Sequence, residues 1–308
     1  LLDGQSSSPP SSSSSSSAAS SRRVCGLRRG IHSLSLPFPS QHGPTPCAPS
    51  LSARSLASSL ALPFLPRSPA AAAASRSCTV MANSDPIQSR WNDLTGFVSD
   101  PVRTKWWSRI HDAYSTRHTH NLQHLVRLGD FCALKPKHSQ ERMLAAFEQH
   151  KDNLRDRYAT AFAVFFKNIV YDPHADDNAA KSAQLVREFS SETTFDSESY
   201  VVDLIVSSAS NSTEAHLTAD GEGSDDVHFL IDFDMAGLAA DAADYDREAA
   251  ADRLEWPELD DATYRARRKQ ILQLFLEVPH VYATRPVREQ LEQKARSNLQ
   301  RELDSIQL

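Results

Sequence analysis

Cysteine and long apolar runs are scarce in this 308-residue chain, and each shortage excludes something. There are four cysteines, of which Cys25, Cys47 and Cys78 precede Met81 and Cys132 stands alone after it. A lone thiol can form neither an internal disulfide nor a cysteine-based zinc site, so a reducing compartment is expected. The longest aliphatic stretch near the start, Leu60-Ala61-Leu62-Pro63-Phe64-Leu65, falls far short of the ~20 residues a membrane helix needs. No membrane partner is expected. Residues 1–80 also lack lysine, and Asp3 is their one acid.

That leader holds instead 23 serines, 10 prolines and seven arginines. Such a composition cannot bury enough apolar surface to offset chain entropy, so residues 1–84 are expected to be a disordered leader. Arg-bearing, Ser-rich and acid-poor, it has the character of an organelle transit peptide. An upstream extension of the gene model, with Met81 as the true start, is the other reading. Localisation is accordingly cytoplasmic, or plastid or mitochondrial if the leader is a transit peptide. Of the chain's 33 basic and 39 acidic residues, 26 and 38 lie in 81–308, a net charge near −12 behind a whole-chain value of −6. An acidic body repels a phosphate backbone, and no nucleic-acid partner is expected.

From residue 85 on the apolar pattern is helical. Trp91, Leu94 and Val98 recur at helical spacing, as do Trp107, Ile110 and Tyr114. Leu122, Leu125, Leu128 and Cys132 form a stripe that Pro136 ends. The run Ala161-Phe162-Ala163-Val164-Phe165-Phe166 predicts a helix buried on most sides, over 155–168. Tyr171-Asp172-Pro173 turns the chain, because proline disfavours helix in the residue before it. Further helices are predicted at 178–189, 200–206, 241–254, 261–277 and 287–303. The Ser-, Asp- and Gly-rich stretch 207–226 has no periodicity and predicts a mobile surface loop. No alternating pattern competes, so residues 85–308 are expected to form a single all-α domain.

One histidine cluster stands out, Arg117-His118-Thr119-His120-Asn121-Leu122-Gln123-His124. On a helix His120 and His124 would share a face, able to put one imidazole on a metal and the other on a phosphoryl oxygen. The plain alternative is a polar helix start with surface histidines. Arg265, Arg267 and Arg268 read as the solvated face of a helix rather than a phosphate patch. Asn211-Ser212-Thr213 matches a glycosylation acceptor by chance.

With Tyr114-Ser115 ahead of it, this cluster resembles the opening of predicted metal-dependent phosphohydrolases of the HD superfamily. Four more stretches match that family in order. They are Tyr171-Asp172-Pro173 with Asp177-Asn178 and Ser182-Ala183, then Phe229 to Gly237, Ile271 to Thr284, and Ala295 to Leu303. The H-N-x-x-H core also resembles the start of cyclic-nucleotide phosphodiesterase sites. The resemblance implies a helical HD-type domain with a divalent metal (Mn, Mg, Ni or Fe). His124 would be the first metal ligand, His120 the catalytic group facing the phosphate, and Asp234 the distal ligand, with Asp232 as the alternative. The pair that names the superfamily should follow the buried helix, but this chain has Lys167-Asn168 there. A lysine repels a cation and asparagine offers only a neutral oxygen. Ala179 likewise replaces a family glutamate. His174, in the next loop, is the possible rescue ligand.

Two functions follow as expectations. In one, the chain is a degenerate phosphohydrolase-like protein, catalytically impaired, with metal weak or absent, that binds a small phosphorylated ligand or a protein partner. In the other, it is an active metal-dependent hydrolase of a phosphomonoester or nucleotide with a rearranged metal site.

Overall fold

A computed structural model describes residues 86–120 and 139–306. Their architecture is all-helical, with one isolated backbone bridge between Gly223 and Thr284 and no strand among the described residues. The leader, the 122–132 stripe and His124 lie outside them. No described helix is long and apolar enough to cross a membrane.

The central helix is α4, Arg157–Phe166, since α1 is Pro86–Leu94, α2 Asp100–Ser115 and α3 Ser139–His150. Asp156 starts α4 by accepting the backbone N–H groups of Tyr158 and Ala159 at 3.0 and 2.8 Å, which satisfies two donors that no earlier turn could. Every residue from Ala159 to Phe166 is buried. Around it sit α5 (Asn178–Ser191) and α6 (Glu198–Ser207). Trp91 of α1 meets Phe162, Phe165 and Phe189 with ring centroids 5.4–6.1 Å apart, and Trp106 of α2 meets Phe189 edge-on at 5.5 Å. Fully burying rings of this size is worth about 1.5–3 kcal/mol each, so the aromatic knot dominates this half of the core.

The second half centres on α8, Asp226–Asp234, and a 3₁₀ turn, Met235–Ala239. The helices α9 (Ala242–Leu254), α10 (Asp261–Glu277) and α11 (Arg285–Ser305) complete it. Pro286 opens α11, where its missing N–H costs nothing. Farther along, Asn298 donates to the carbonyls of Leu238 and Ala240 at 3.0 and 2.8 Å, fastening α11 to the turn after α8.

The predicted helices over 155–168 and from 178 onward are present within a few residues of their expected ends. The 207–226 stretch is a correction. It holds a 3₁₀ turn at Ser208–Ser210 and a short helix α7, Glu214–Leu217, and His216 is only 2% exposed. The imidazole Nδ1 of His216 accepts the Thr213 backbone N–H at 2.9 Å, and Gly223 donates its N–H to Ala283 at 2.9 Å. A Cβ at Gly223 would lie 2.5 Å from the His228 ring, so only glycine fits that crossing. The segment is thus docked by a buried histidine and backbone bonds, neither of which leaves a periodic pattern.

Candidate functional site

Two helix ends meet to make the site. As α4 ends, its buried run delivers Lys167, whose N–H still bonds the Ala163 carbonyl at 2.8 Å. The last residue of α8 is Asp234. The Lys167 ammonium lies 2.8 Å from Asp234 Oδ2, and the two side chains are 6% and 7% exposed. Lys167 also donates to Asn211 Oδ1 at 3.2 Å. The Asn168 amide donates to the other oxygen of Asp234 at 3.1 Å and reaches His120 Nδ1 at 3.2 Å.

An amide N–H can only donate, so this last contact favours a neutral His120 ring that accepts at Nδ1. Burial pushes the His120 pKa down; Lys167 and Arg117 push the same way, against the upward pull of Asp234. Asp234 is itself fully desolvated, which favours protonation, yet the Lys167 ammonium, His120 and the Asn168 amide together hold it below the usual carboxylate range. Among the described residues the cluster joins one cation, Lys167, and one anion, Asp234, to three neutral polar groups, Asn168, Asn211 and His120.

His120 does not sit on a helix. After α2 ends at Ser115 the chain bends, and His120 has φ 44°, in the left-handed region. Such a conformation costs a non-glycine residue about 1–2 kcal/mol and persists only when neighbours enforce it. Here Arg117 donates to the carbonyls of both Asn168 and Ile169, and Thr119 gives its N–H and hydroxyl to Glu255 at 2.8 and 2.9 Å. Tyr171 closes one side, with its ring centroid 4.6 Å from that of His120. Burial, against a hydrogen bond with Thr119, pushes the Tyr171 hydroxyl up to about 12. Nothing in the sequence marks Arg117, Asn211, Tyr171 and Glu255 as parts of one site. They come from four separate stretches and share no spacing.

The two aspartates separate cleanly. Two residues along a helix turn a side chain by about 200°, so Asp232 and Asp234 face nearly opposite ways. Asp232, fully buried, accepts from the Ala283 N–H and from both the N–H and hydroxyl of Thr284 at 2.6–2.8 Å. It anchors the turn into α11, with His216 Nε2 3.8 Å away. His174 meets Trp256 edge-on at 4.7 Å and lies 3.8 Å from Glu258. It contacts the α9–α10 connection there.

A divalent cation does not fit the described part of the cluster. Both oxygens of Asp234 already face nitrogen donors, and a cation in front of them would have to displace the Lys167 ammonium. Among the described residues no three His, Cys, Asp or Glu side chains converge as a metal site. The arginine expectation changes in part: Arg268, with 13% of its side chain exposed, pairs with Glu302 at 2.7 Å, and the half-buried Arg267 lies 3.7 Å over the Trp256 ring, while Arg265 is exposed. In the Asn211-Ser212-Thr213 motif the Asn211 side-chain oxygen accepts from Lys167 and Ser212 is 8% exposed.

No family model matches the chain, and no curated protein or solved structure is similar to it. Fold and site together define a class: an all-helical protein with a buried polar cluster, built on the Lys167–Asp234 pair, where two helix ends meet.

Proposed function

We propose that this chain is an HD-type, phosphohydrolase-like domain that has given up metal-dependent hydrolysis and works by binding a small phosphorylated ligand or a protein partner. The observation that carries the reading is the buried ion pair between Lys167 and Asp234 at 2.8 Å, at the positions where the resemblance would put a metal-ligating histidine and the distal ligand. An ammonium there supplies the positive charge that a cation would otherwise bring. With its pKa pushed down and the Asn168 amide at Nδ1, His120 is unsuited to acting as an imidazolium acid near pH 7.

The test is metal content of the full chain measured beside phosphatase activity with added Mn²⁺, Mg²⁺ or Ni²⁺. Weak metal binding and turnover close to background are expected. The double substitution Lys167→His with Asn168→Asp should raise metal affinity far more than either alone, because ligands of one coordination sphere act together. Tightly held stoichiometric metal in the unsubstituted protein would overturn this reading in favour of an active hydrolase with a rearranged site.

A further inference from the structure

At the other end of α4, roughly 14 Å from Lys167 by helix rise, the helices α1, α3 and α4 frame a cavity of about 330 Å³. Its size is at the low end of small-molecule sites. The floor is apolar, made by the buried Leu94, Phe147 and Ala161. Tyr158 forms a wall, and its hydroxyl donates to the Leu94 carbonyl at 2.7 Å, which fixes the ring. Tyr158 remains 42% exposed as a residue, so a small molecule can reach it.

The rim is cationic. Arg90, Lys151 and Arg157 line the cavity, with Asp93 as the one acid among the lining residues. Glu148, which does not line it, holds two of these cations together: one oxygen pairs with Arg90 and the other with Lys151 Nζ at 2.8 Å. The Arg90 guanidinium is also 5.7 Å over the Phe147 ring. One carboxylate therefore orients two cations side by side without neutralising both. Arg157 adds a third, and its approach to Asp152, 3.9 Å between side chains 68% and 85% exposed, is too solvated to tie it down. Asp93, Glu148 and Asp152 offset these charges overall, but the lining itself carries three cations and one anion over an apolar floor.

We propose that this cleft binds a small organic anion, an oxyanion carried on a flat apolar body. The oxyanion would face Arg90, Lys151 and Arg157, where charge-assisted hydrogen bonds are strongest, and the apolar body would lie against Phe147 and Tyr158. The site is separate from the Lys167 cluster and does not depend on the function proposed for it.

The test is calorimetric titration of the full chain with phenyl phosphate, beside inorganic phosphate and benzyl alcohol as the isolated halves of the ligand. Saturable 1:1 binding of phenyl phosphate, at least tenfold tighter than either half and weakened by salt, is expected. Benzoate in parallel distinguishes a carboxylate ligand from a phosphate ligand. The double substitution Lys151→Gln with Arg157→Gln, on partly exposed side chains and checked for an unchanged melting temperature, should weaken binding tenfold or more. Equal affinity for inorganic phosphate, affinity unmoved by the double substitution, or no saturation at all would each overturn the proposal.

Discussion

Replacing Lys167 by methionine keeps most of the side-chain volume and removes only the charge. At 2.8 Å and an effective dielectric of 20 the pair attracts by about 6 kcal/mol, much of which offsets the desolvation of two side chains exposed by only 6% and 7%. Leaving Asp234 buried without its cation should therefore cost about 3–5 kcal/mol at neutral pH. The loss should depend on pH in a defined sense. In the unsubstituted protein the Asp234 pKa is depressed, so its contribution is present above the unfolded value of ~3.9 and is lost as pH falls through the lower folded value. In the methionine variant burial would dominate and raise the folded pKa, so the penalty would vanish below ~3.9 and grow as pH rises. Urea unfolding at pH 8 and pH 4 reads both effects: a wide gap between the two proteins at pH 8 and a narrow one at pH 4. Removing both partners, Lys167→Met with Asp234→Leu, should recover stability relative to the single variant, since no unpaired charge remains. A single-variant loss under about 1 kcal/mol, or one that does not change with pH, would refute the buried pair and place Lys167 at the surface, where such changes are nearly neutral.

Three further outcomes follow from the geometry. The His120 imidazole should titrate below the ordinary ~6.5 in an NMR experiment, so it stays neutral at pH 7; a midpoint at or above that value would contradict its bond to Asn168. Phe162→Ala should destabilise by about 3–5 kcal/mol in thermal or chemical unfolding, because its ring meets Trp91, Phe189 and Phe195 with no room for collapse; a loss under 1 kcal/mol would show a loosely packed knot. Asp232→Ala should cost at least about 3 kcal/mol by orphaning the buried N–H groups of Ala283 and Thr284, with no specific effect on metal binding; a neutral result would mean that the turn into α11 is held by other contacts.

The order of helices along α4 to α6 and α9 to α11 was legible because their apolar residues repeat at 3.6, and the run from Ala161 to Phe166 announced the buried helix by composition alone. That periodicity is a property of the chain itself and needs no partner to be seen. The same sequence marked Lys167, Asn168 and His120 as candidates, since an unexpected residue in an otherwise matching pattern is visible without coordinates. The α3 and α8 helices went unassigned, one weakly patterned and the other read only as a motif. What only the tertiary structure decided was pairing. Asp232 and Asp234 are indistinguishable as letters, yet one anchors Ala283 and Thr284 and the other meets Lys167 across 67 residues of chain. The docked 207–226 segment, the left-handed turn at His120 held by Glu255 and the cationic cleft at Tyr158 are likewise contacts between distant stretches. A hydrogen bond or ion pair of this kind is set by where two elements cross, and one chain's local pattern carries no record of that crossing.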